Sequence, residues 1–183
     1  MTDFLFLGNL MRQKGVLTLL DACAILKRNN QSFQCHFVGA TSQDLPHTEI
    51  KSKIDELELH KCIIMHGPMY GDDKEAMLQK HHIMVFPTFY HNECFPLVLL
   101  EAMKNKMAII STREGAIPDM VIQGQTGLLV DKENASNLAE AMQTFIDSPN
   151  LAEQMGKAGF EHYRANYTEE RFISTIQSIL SEG

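Results

Sequence analysis

Residues 83–103 read IMVFPTFYHNECFPLVLLEAM. The apolar run at residues 83–86 is typical of a buried strand, which ends at a proline and leads into a polar loop that contains Glu93. Order resumes at Pro96, which we expect in the first turn of a helix that carries Glu101. In open α/β sheets, ligands bind outside the carboxyl ends of the strands, and a helix N-terminus offers unpaired N–H groups to an anion. The stretch therefore predicts a cleft that Glu93 lines and that Glu101 faces.

Strands and helices alternate along the first 131 residues. The expected strands lie near residues 3–8, 34–39, 62–65, 83–86, 107–111 and 127–130, and amphipathic helices separate them. Right-handed crossover connections then give a parallel six-stranded sheet with helices on both faces, which is a Rossmann-like α/β fold. From about residue 134 to residue 181 the apolar period is helical only, and this predicts extra C-terminal helices. We expect one domain over residues 1–183, with the strand–helix core at about residues 3–131.

Composition limits the partners that the chain can have. Of its 183 residues, 44% are hydrophobic, and the formal net charge is −7 at pH 7. Because no block of five or more like charges occurs, nucleic acid and an anionic membrane are poor partners, and an anionic ligand must be held locally. No apolar run approaches the roughly 18 to 20 residues that span a bilayer, and no signal segment is recognisable, so we expect a cytoplasmic protein.

The four cysteines form no C-x-x-C pair. This spacing favours reduced thiols over disulfides or a zinc site. Three of them fall in apolar strand or helix patterns, whereas Cys94 lies in the loop that contains Glu93. Of the eight histidines, none shows metal-ligand spacing, and His91 is the best functional candidate because it lies two residues from Glu93. The absence of D-x-D, H-E-x-x-H and G-x-S-x-G argues against metal-dependent sugar transfer, metalloproteases and serine hydrolases.

The spacing of Glu93 and Glu101 is weak evidence by itself. With 23 acidic residues in 183, about three acidic pairs with seven residues between them are expected by chance. Their placement is more informative, because the helix that carries Glu101 is otherwise apolar from residue 97 to residue 103. A carboxylate there needs a polar ligand or solvent. The alternative is a solvated loop glutamate and an exposed helix glutamate.

A second candidate segment follows the first strand and reads Gly8-Asn9-Leu10-Met11-Arg12-Gln13-Lys14-Gly15. Its glycines let the backbone approach a ligand closely, and Arg12 and Lys14 place positive charge beside the start of a helix, which suits a phosphate. It is not a P-loop, since neither G-x-x-x-x-G-K-[ST] nor G-x-G-x-x-G occurs. A surface turn with two solvated cations explains the same residues, and a tight turn is the simpler interpretation of residues 113–116.

Three segments together resemble one family, the retaining glycosyltransferases of the GT-B type, family 4. Glu93 to Glu101 is similar to its E-x7-E signature, and Gly8 to Gly15 resembles its G-R-x-x-x-x-K-G loop. Residues 110–130, ISTREGAIPDMVIQGQTGLLV, are similar to its downstream glycine-rich run. The resemblance covers nearly the whole chain. It implies the C-terminal, donor-binding half of a two-domain enzyme that moves a sugar from a UDP- or GDP-linked donor to a saccharide or lipid-linked acceptor.

The resemblance also implies roles by position. Glu101 would hydrogen-bond the ribose hydroxyls of the nucleotide, and Glu93 would lie at the transferred sugar. Lys14 would contact the diphosphate, so Glu93 and Lys14 are the expected catalytic residues. The expected donor-binding residues are Gly8, Asn9, Arg12, Lys14, Cys94, Phe95, Pro96, Leu97 and Glu101. The family arginine falls at Asn9 here, so either Arg12 covers its role or the phosphate is held less tightly.

In this architecture the acceptor normally binds an N-terminal domain, and reaction needs both halves closed over the donor. Because the first strand begins at about residue 3, we expect that domain to be absent and the isolated domain to bind donor with little turnover. Membrane association would come only through the missing domain, and no metal or other cofactor is expected.

Three alternatives stay open. They are a non-catalytic nucleotide-binding module, a GT-B-like nucleotide-sugar 2-epimerase, and a flavodoxin-like regulatory domain in which the two glutamates are surface residues.

Overall fold

A computed structural model describes residues 1–181 of the chain. The strands are β1 (Thr2–Leu7), β2 (Phe33–Val38), β3 (Ile63–Gly67), β4 (Ile83–Phe86), β5 (Ala108–Thr112) and β6 (Gly127–Val130). The helices are α1 (Val16–Arg28), α2 (His47–Glu56), α3 (Gly71–Lys80), α4 (Leu97–Lys104), α5 (Ile117–Met120), α6 (Ala135–Asp147), α7 (Pro149–Asn166) and α8 (Glu169–Ser181). A 3-10 turn, Arg12–Lys14, precedes α1.

The six strands form one parallel sheet in the order β3-β2-β1-β4-β5-β6. The chain builds one half of the sheet outward from β1 and then returns to build the other half outward from β4. The boundary between β1 and β4 is therefore the topological switch point, where ligand crevices open in sheets of this kind. The expected Rossmann-like sheet of six parallel strands is confirmed.

Helices cover both faces of the sheet. The β1–α1–β2 and β4–α4–β5 crossovers run in opposite directions, so right-handed connections put α1 and α4 on opposite faces. Helix α1 packs on α6, and α4 packs on α7. Strands β4 and β5 are consequently buried along their whole length. Aromatic rings of Phe6, Phe37 and Phe86 pack across three neighbouring strands, with centroid separations of 5.6 Å and 6.1 Å.

Helix α8 differs from the other long helices because none of its residues is buried. Its large apolar side chains are between 41% and 76% exposed, and they are Phe172, Ile173, Ile176, Ile179 and Leu180. The N-terminal cap of α8 is Thr168, whose hydroxyl accepts the N–H of Arg171 at 3.3 Å. The expected C-terminal helices are thus present. Among the described helices, none combines the length and hydropathy needed to cross a membrane.

The cysteines carry free thiols, as the sequence predicts. Cys23 and Cys35 are buried, Cys62 is partly buried, and Cys94 is exposed. Burial raises the pKa of the Cys23 thiol well above its usual value, and the neighbouring Cys35 adds to this effect. The two buried thiols therefore belong to the hydrophobic core.

Candidate functional site

The loop after β1 packs directly against the loop after β4. A Cβ atom on Gly15 would lie 2.2 Å from the carbonyl oxygen of Pro87, and the φ angle of Gly15 is +77°, so glycine is required at this contact. The N–H of Phe89 donates to the carbonyl oxygen of Gln13 at 2.8 Å. These contacts place the turn that carries Lys14 beside the exit of β4.

The loop after β5 joins the same place. Gly115 has a φ angle of +50°, and a Cβ atom there would lie 1.7 Å from the carbonyl oxygen of Glu93. The N–H of Ala116 donates to the carbonyl oxygen of Cys94 at 3.0 Å. The exits of β1, β4 and β5, which are neighbouring strands, therefore meet around Glu93.

Lys14 and Glu93 form an ion pair where these loops meet. The Nζ atom of Lys14 contacts Oε2 of Glu93, and the two side chains are only 15% and 11% exposed. The ammonium also lies over the rings of Phe86 and Tyr90, 5.2 Å and 5.1 Å from their centroids. The buried hydroxyl of Thr88 is 3.4 Å from the same carboxylate oxygen. Removal of either charge would leave the other largely buried without its partner.

Helix α4 begins one residue later than expected. Pro96 has a ψ angle of 105° and is the cap residue, so the expectation that it lies in the first helical turn is wrong. Among the described residues, no side chain caps α4, and a helix start of this kind can bind an anion. Phe95 and Leu97 are 42% and 67% exposed, and Cys94 is exposed as well. Of the predicted residues 94–97, Cys94, Phe95 and Leu97 thus lie exposed at the rim of the β4 exit, whereas Pro96 is buried.

Glu101 has a different cationic partner, Lys74 of α3. The Nζ atom of Lys74 is 2.6 Å from Oε1 of Glu101. Glu101 lies between the apolar residues of α4, of which Leu99, Ala102 and Met103 are buried. Of the two predicted carboxylates, one therefore pairs with a predicted cation and the other with a lysine that the sequence did not single out.

Arg12 is directed toward the start of α2. Its guanidinium is 2.5 Å from the carboxylate of Glu49, and its Nε donates to the carbonyl oxygen of Asp44 at 2.8 Å. Gly8 lies at the end of β1, where its N–H donates to the carbonyl oxygen of Val38 at 3.0 Å. The next residue, Asn9, is exposed. These three predicted residues share the edge of the sheet with Lys14, while Arg12 and Lys14 bind different acidic partners.

Three histidines from separate elements are in contact, which their sequence spacing did not reveal. The Nδ1 atom of His36 in β2 is 2.9 Å from Nε2 of His66 in β3, and the ring of His81 lies 4.5 Å from that of His36. Burial, together with a smaller effect of the neighbouring imidazoles of His81 and His66, lowers the pKa of His36 to about 4. Burial also lowers the pKa of His66 and of His81. Within residues 1–181, no group of three or more His, Cys, Asp or Glu side chains is arranged to hold a metal ion.

Comparisons with known proteins agree on one family. A family model described as glycosyl transferases group 1 matches residues 2–162. The chain is 29% identical over 176 residues to a D-inositol 3-phosphate glycosyltransferase of Arthrobacter sp. (strain FB24), and the match covers 95% of this chain and 41% of that protein. The chain thus spans less than half the length of this curated relative.

Two solved structures have the same fold. The C-terminal domain of a glycosyl transferase group 1 family protein (LpcC) from Francisella tularensis superposes with a TM-score of 0.81 at 24% identity, over 92% of this chain and 87% of that chain. Anabaena Alr3699/HepE, solved in complex with UDP, superposes with a TM-score of 0.88 at 19% identity, over 99% of this chain and 49% of that chain. The described sheet and its following helices therefore correspond to a separately solved C-terminal domain and to about half of a longer protein.

Proposed function

The chain belongs to the glycosyl transferases group 1 family, and on that premise we propose that it is the donor-binding domain of a retaining glycosyltransferase. Its sheet and C-terminal helices form the C-terminal half of a GT-B fold. In this proposal the domain holds a UDP- or GDP-linked sugar for transfer to a saccharide or lipid-linked acceptor. The observation that carries the proposal is the Lys14–Glu93 ion pair at the meeting point of three strand exits.

Lys14 is proposed to contact the diphosphate. When a sugar–phosphate bond breaks, negative charge develops on the leaving diphosphate and positive charge develops on the sugar. Lys14 directly precedes Gly15, the cap residue of α1, and its partner Glu93 lies in the loop that leads into α4. The N–H groups at the starts of both helices can add hydrogen bonds to phosphate oxygens. A bound diphosphate would draw the ammonium away from Glu93 or share it. Donor binding without a metal ion is part of the proposal, and undiminished affinity for a nucleotide sugar in a chelator would support it.

Glu93 is proposed to lie at the transferred sugar. Its carboxylate is held by Lys14 and Thr88, and its backbone is fixed by the close approach of Gly115. A carboxylate fixed in this way can stabilise the positive charge of the sugar, either through its charge alone or as a nucleophile. Detection of an epimerised sugar in place of a transferred one would favour a nucleotide-sugar epimerase instead.

Glu101 is proposed to accept hydrogen bonds from the ribose hydroxyls. Its carboxylate is 37% exposed, so a ligand can reach it. Calorimetric titration of UDP- and GDP-linked sugars into the wild-type chain and Glu101→Ala tests this role. We expect the variant to bind at least about tenfold more weakly, since a hydrogen bond to a charged group contributes about 1.5 to 3 kcal/mol. Equal affinity of both proteins would contradict the role of Glu101.

The acceptor is proposed to bind a second domain. This chain covers 49% of Anabaena Alr3699/HepE, so that protein has a further part of about the same length. A groove of about 530 Å³ lies between the β4 exit and α8, and Phe95, Leu97 and Phe172 are among the residues that line it. We propose that an acceptor-binding domain covers this groove and the apolar face of α8. The isolated chain should then bind donor but transfer little sugar.

A further inference from the structure

Lys74 and Glu101 form the second ion pair at the carboxyl edge of the sheet. Lys74 is the fourth residue of α3 and Glu101 is the fifth residue of α4, and both helices begin at this edge. The residues are 27 positions apart in the chain, so the 2.6 Å contact ties α3 to α4. The pair therefore holds the carboxylate that we propose as the ribose acceptor.

This pair is better covered than ordinary surface ion pairs. The side chains of Lys74 and Glu101 are 30% and 37% exposed. Within residues 1–181, only this pair and Lys14–Glu93 have both members exposed by 37% or less. Solvent screens such a pair less than an exposed pair, so it can hold its two side chains in one geometry.

We propose that Lys74 is a positioning residue of the donor site, and this inference rests on the proposed function. The ammonium contacts Oε1 of Glu101, and the carboxylate has a second oxygen, Oε2, with which to accept from the ribose hydroxyls. A free glutamate side chain loses rotamer freedom when a ligand fixes it, and this loss weakens binding. Lys74 fixes Glu101 before the nucleotide arrives, so less of that freedom is lost on binding.

The test compares nucleotides with and without ribose hydroxyls. Calorimetry with UDP and GDP first identifies which of the two nucleotides the wild-type chain binds more tightly. The 2′,3′-dideoxy analogue of that nucleotide is then titrated into the same protein. We expect the wild type to bind the ribonucleotide about tenfold more tightly than the analogue. Lys74→Met should lower the affinity for the ribonucleotide about three- to tenfold and change the affinity for the analogue by less than about twofold. Lys74→Arg should keep the discrimination, because it keeps a cation at this position.

Lys157→Met is the matched control. It removes the same charge from the Lys157–Glu153 pair, whose side chains are 65% and 66% exposed on α7, and it should leave both affinities unchanged. Lys74→Gln provides a second variant if Lys74→Met lowers the melting temperature. Unchanged discrimination in Lys74→Met and Lys74→Gln would overturn the inference. An equal loss of affinity for the ribonucleotide and for its analogue would also overturn the inference, since Lys74 would then act on the phosphates or on folding. If the wild type bound neither UDP nor GDP, the proposed function itself would fail.

Discussion

The ammonium of Lys14 lies against the carboxylate of Glu93, 79 residues further along the chain. Both side chains are nearly buried, and the contact exists because Gly15 lets the β1 exit pack on Pro87. Two opposite charges that neutralise each other in this way are stable without a ligand. A diphosphate that binds here must compete with Glu93 for the ammonium, and the first prediction follows from that competition.

Lys14→Ala should lower the free energy of unfolding by about 2 kcal/mol, because Glu93 then stays largely buried without its cation. Lys14→Ala/Glu93→Gln should recover much of that stability, since neither charge remains, but both proteins should bind donor more than about tenfold more weakly. Urea unfolding and calorimetry measure the two effects.

The control for this prediction is Lys157→Ala. Lys157 pairs with Glu153 on α7, and both side chains are about two-thirds exposed (65% and 66%), so loss of this pair should change stability by less than about 0.5 kcal/mol. If Lys14→Ala were as stable as Lys157→Ala and bound UDP-sugars like the wild type, the ion pair would have no part in the site.

Gly15→Ala should disrupt the meeting of the β1 and β4 exits. The new Cβ would lie 2.2 Å from the carbonyl oxygen of Pro87, so one loop must move. Gly124→Ala separates this clash from backbone strain, because Gly124 has nearly the same φ angle, +74° against +77°, and open space around its Cβ position. We expect a loss of about 1 kcal/mol for Gly124→Ala and about 3 kcal/mol or more for Gly15→Ala, measured by urea unfolding. Similar losses for the two variants would show that the close approach to Pro87 is unimportant.

Stability should fall as the pH is lowered from about 6.5 to about 4, because of the histidine cluster. Burial lowers the pKa of His36 to about 4 in the folded chain, so between these pH values the unfolded chain binds more protons. The stability is therefore fully present above pH 6.5 and is lost as the pH falls toward 4. Asp3 favours and Lys80 opposes protonation of the cluster. Allowing for solvent screening, we expect His36 to contribute about 2 kcal/mol to this loss.

His36→Leu isolates the histidine contribution. All carboxylates titrate in both proteins, so the difference between the two pH profiles of unfolding free energy reports His36 and its neighbours. The variant should show a flatter profile between pH 6.5 and pH 4, whatever its absolute stability. Parallel profiles would mean that the imidazole of His36 is not held neutral by the fold.

The apolar face of α8 should contribute little to the stability of this chain. Phe172 is 68% exposed and Ile176 is 41% exposed, so Phe172→Ser/Ile176→Ser should change the free energy of unfolding by less than about 1 kcal/mol. Phe6→Ala, at a fully buried position of β1, should cost about 4 kcal/mol. A comparable cost for both proteins in urea unfolding would place α8 in the core of this domain.

The fold could be predicted from the sequence because its central strands are buried on both faces. Such strands appear as short continuous apolar runs, as at residues 83–86 and 107–110, and the intervening helices show a 3.6-residue period. The parallel order then follows from short right-handed connections. The start of α4 differed by one residue, because the extended ψ angle of Pro96 keeps that residue outside the helix.

The site could be predicted only in part. Lys14, Glu93 and Glu101 were singled out, but the direct contact of Lys14 with Glu93 depends on a close loop approach that no spacing encodes. Lys74 gave no signal, since a lysine in the second turn of a polar helix is ordinary. The histidine cluster forms only when β2 and β3 pair and α3 ends beside them. Local sequence patterns do not reveal long-range packing of this kind.

The most direct test of the donor-site proposal is a crystal structure of this chain with a UDP- or GDP-linked sugar, in which the distance from Lys14 Nζ to the nearest phosphate oxygen is measured. We predict a distance below about 3.5 Å, with the diphosphate between the β1 and β4 exits and the ribose at Glu101. A nucleotide bound elsewhere, with the Lys14–Glu93 pair unchanged, would contradict the account.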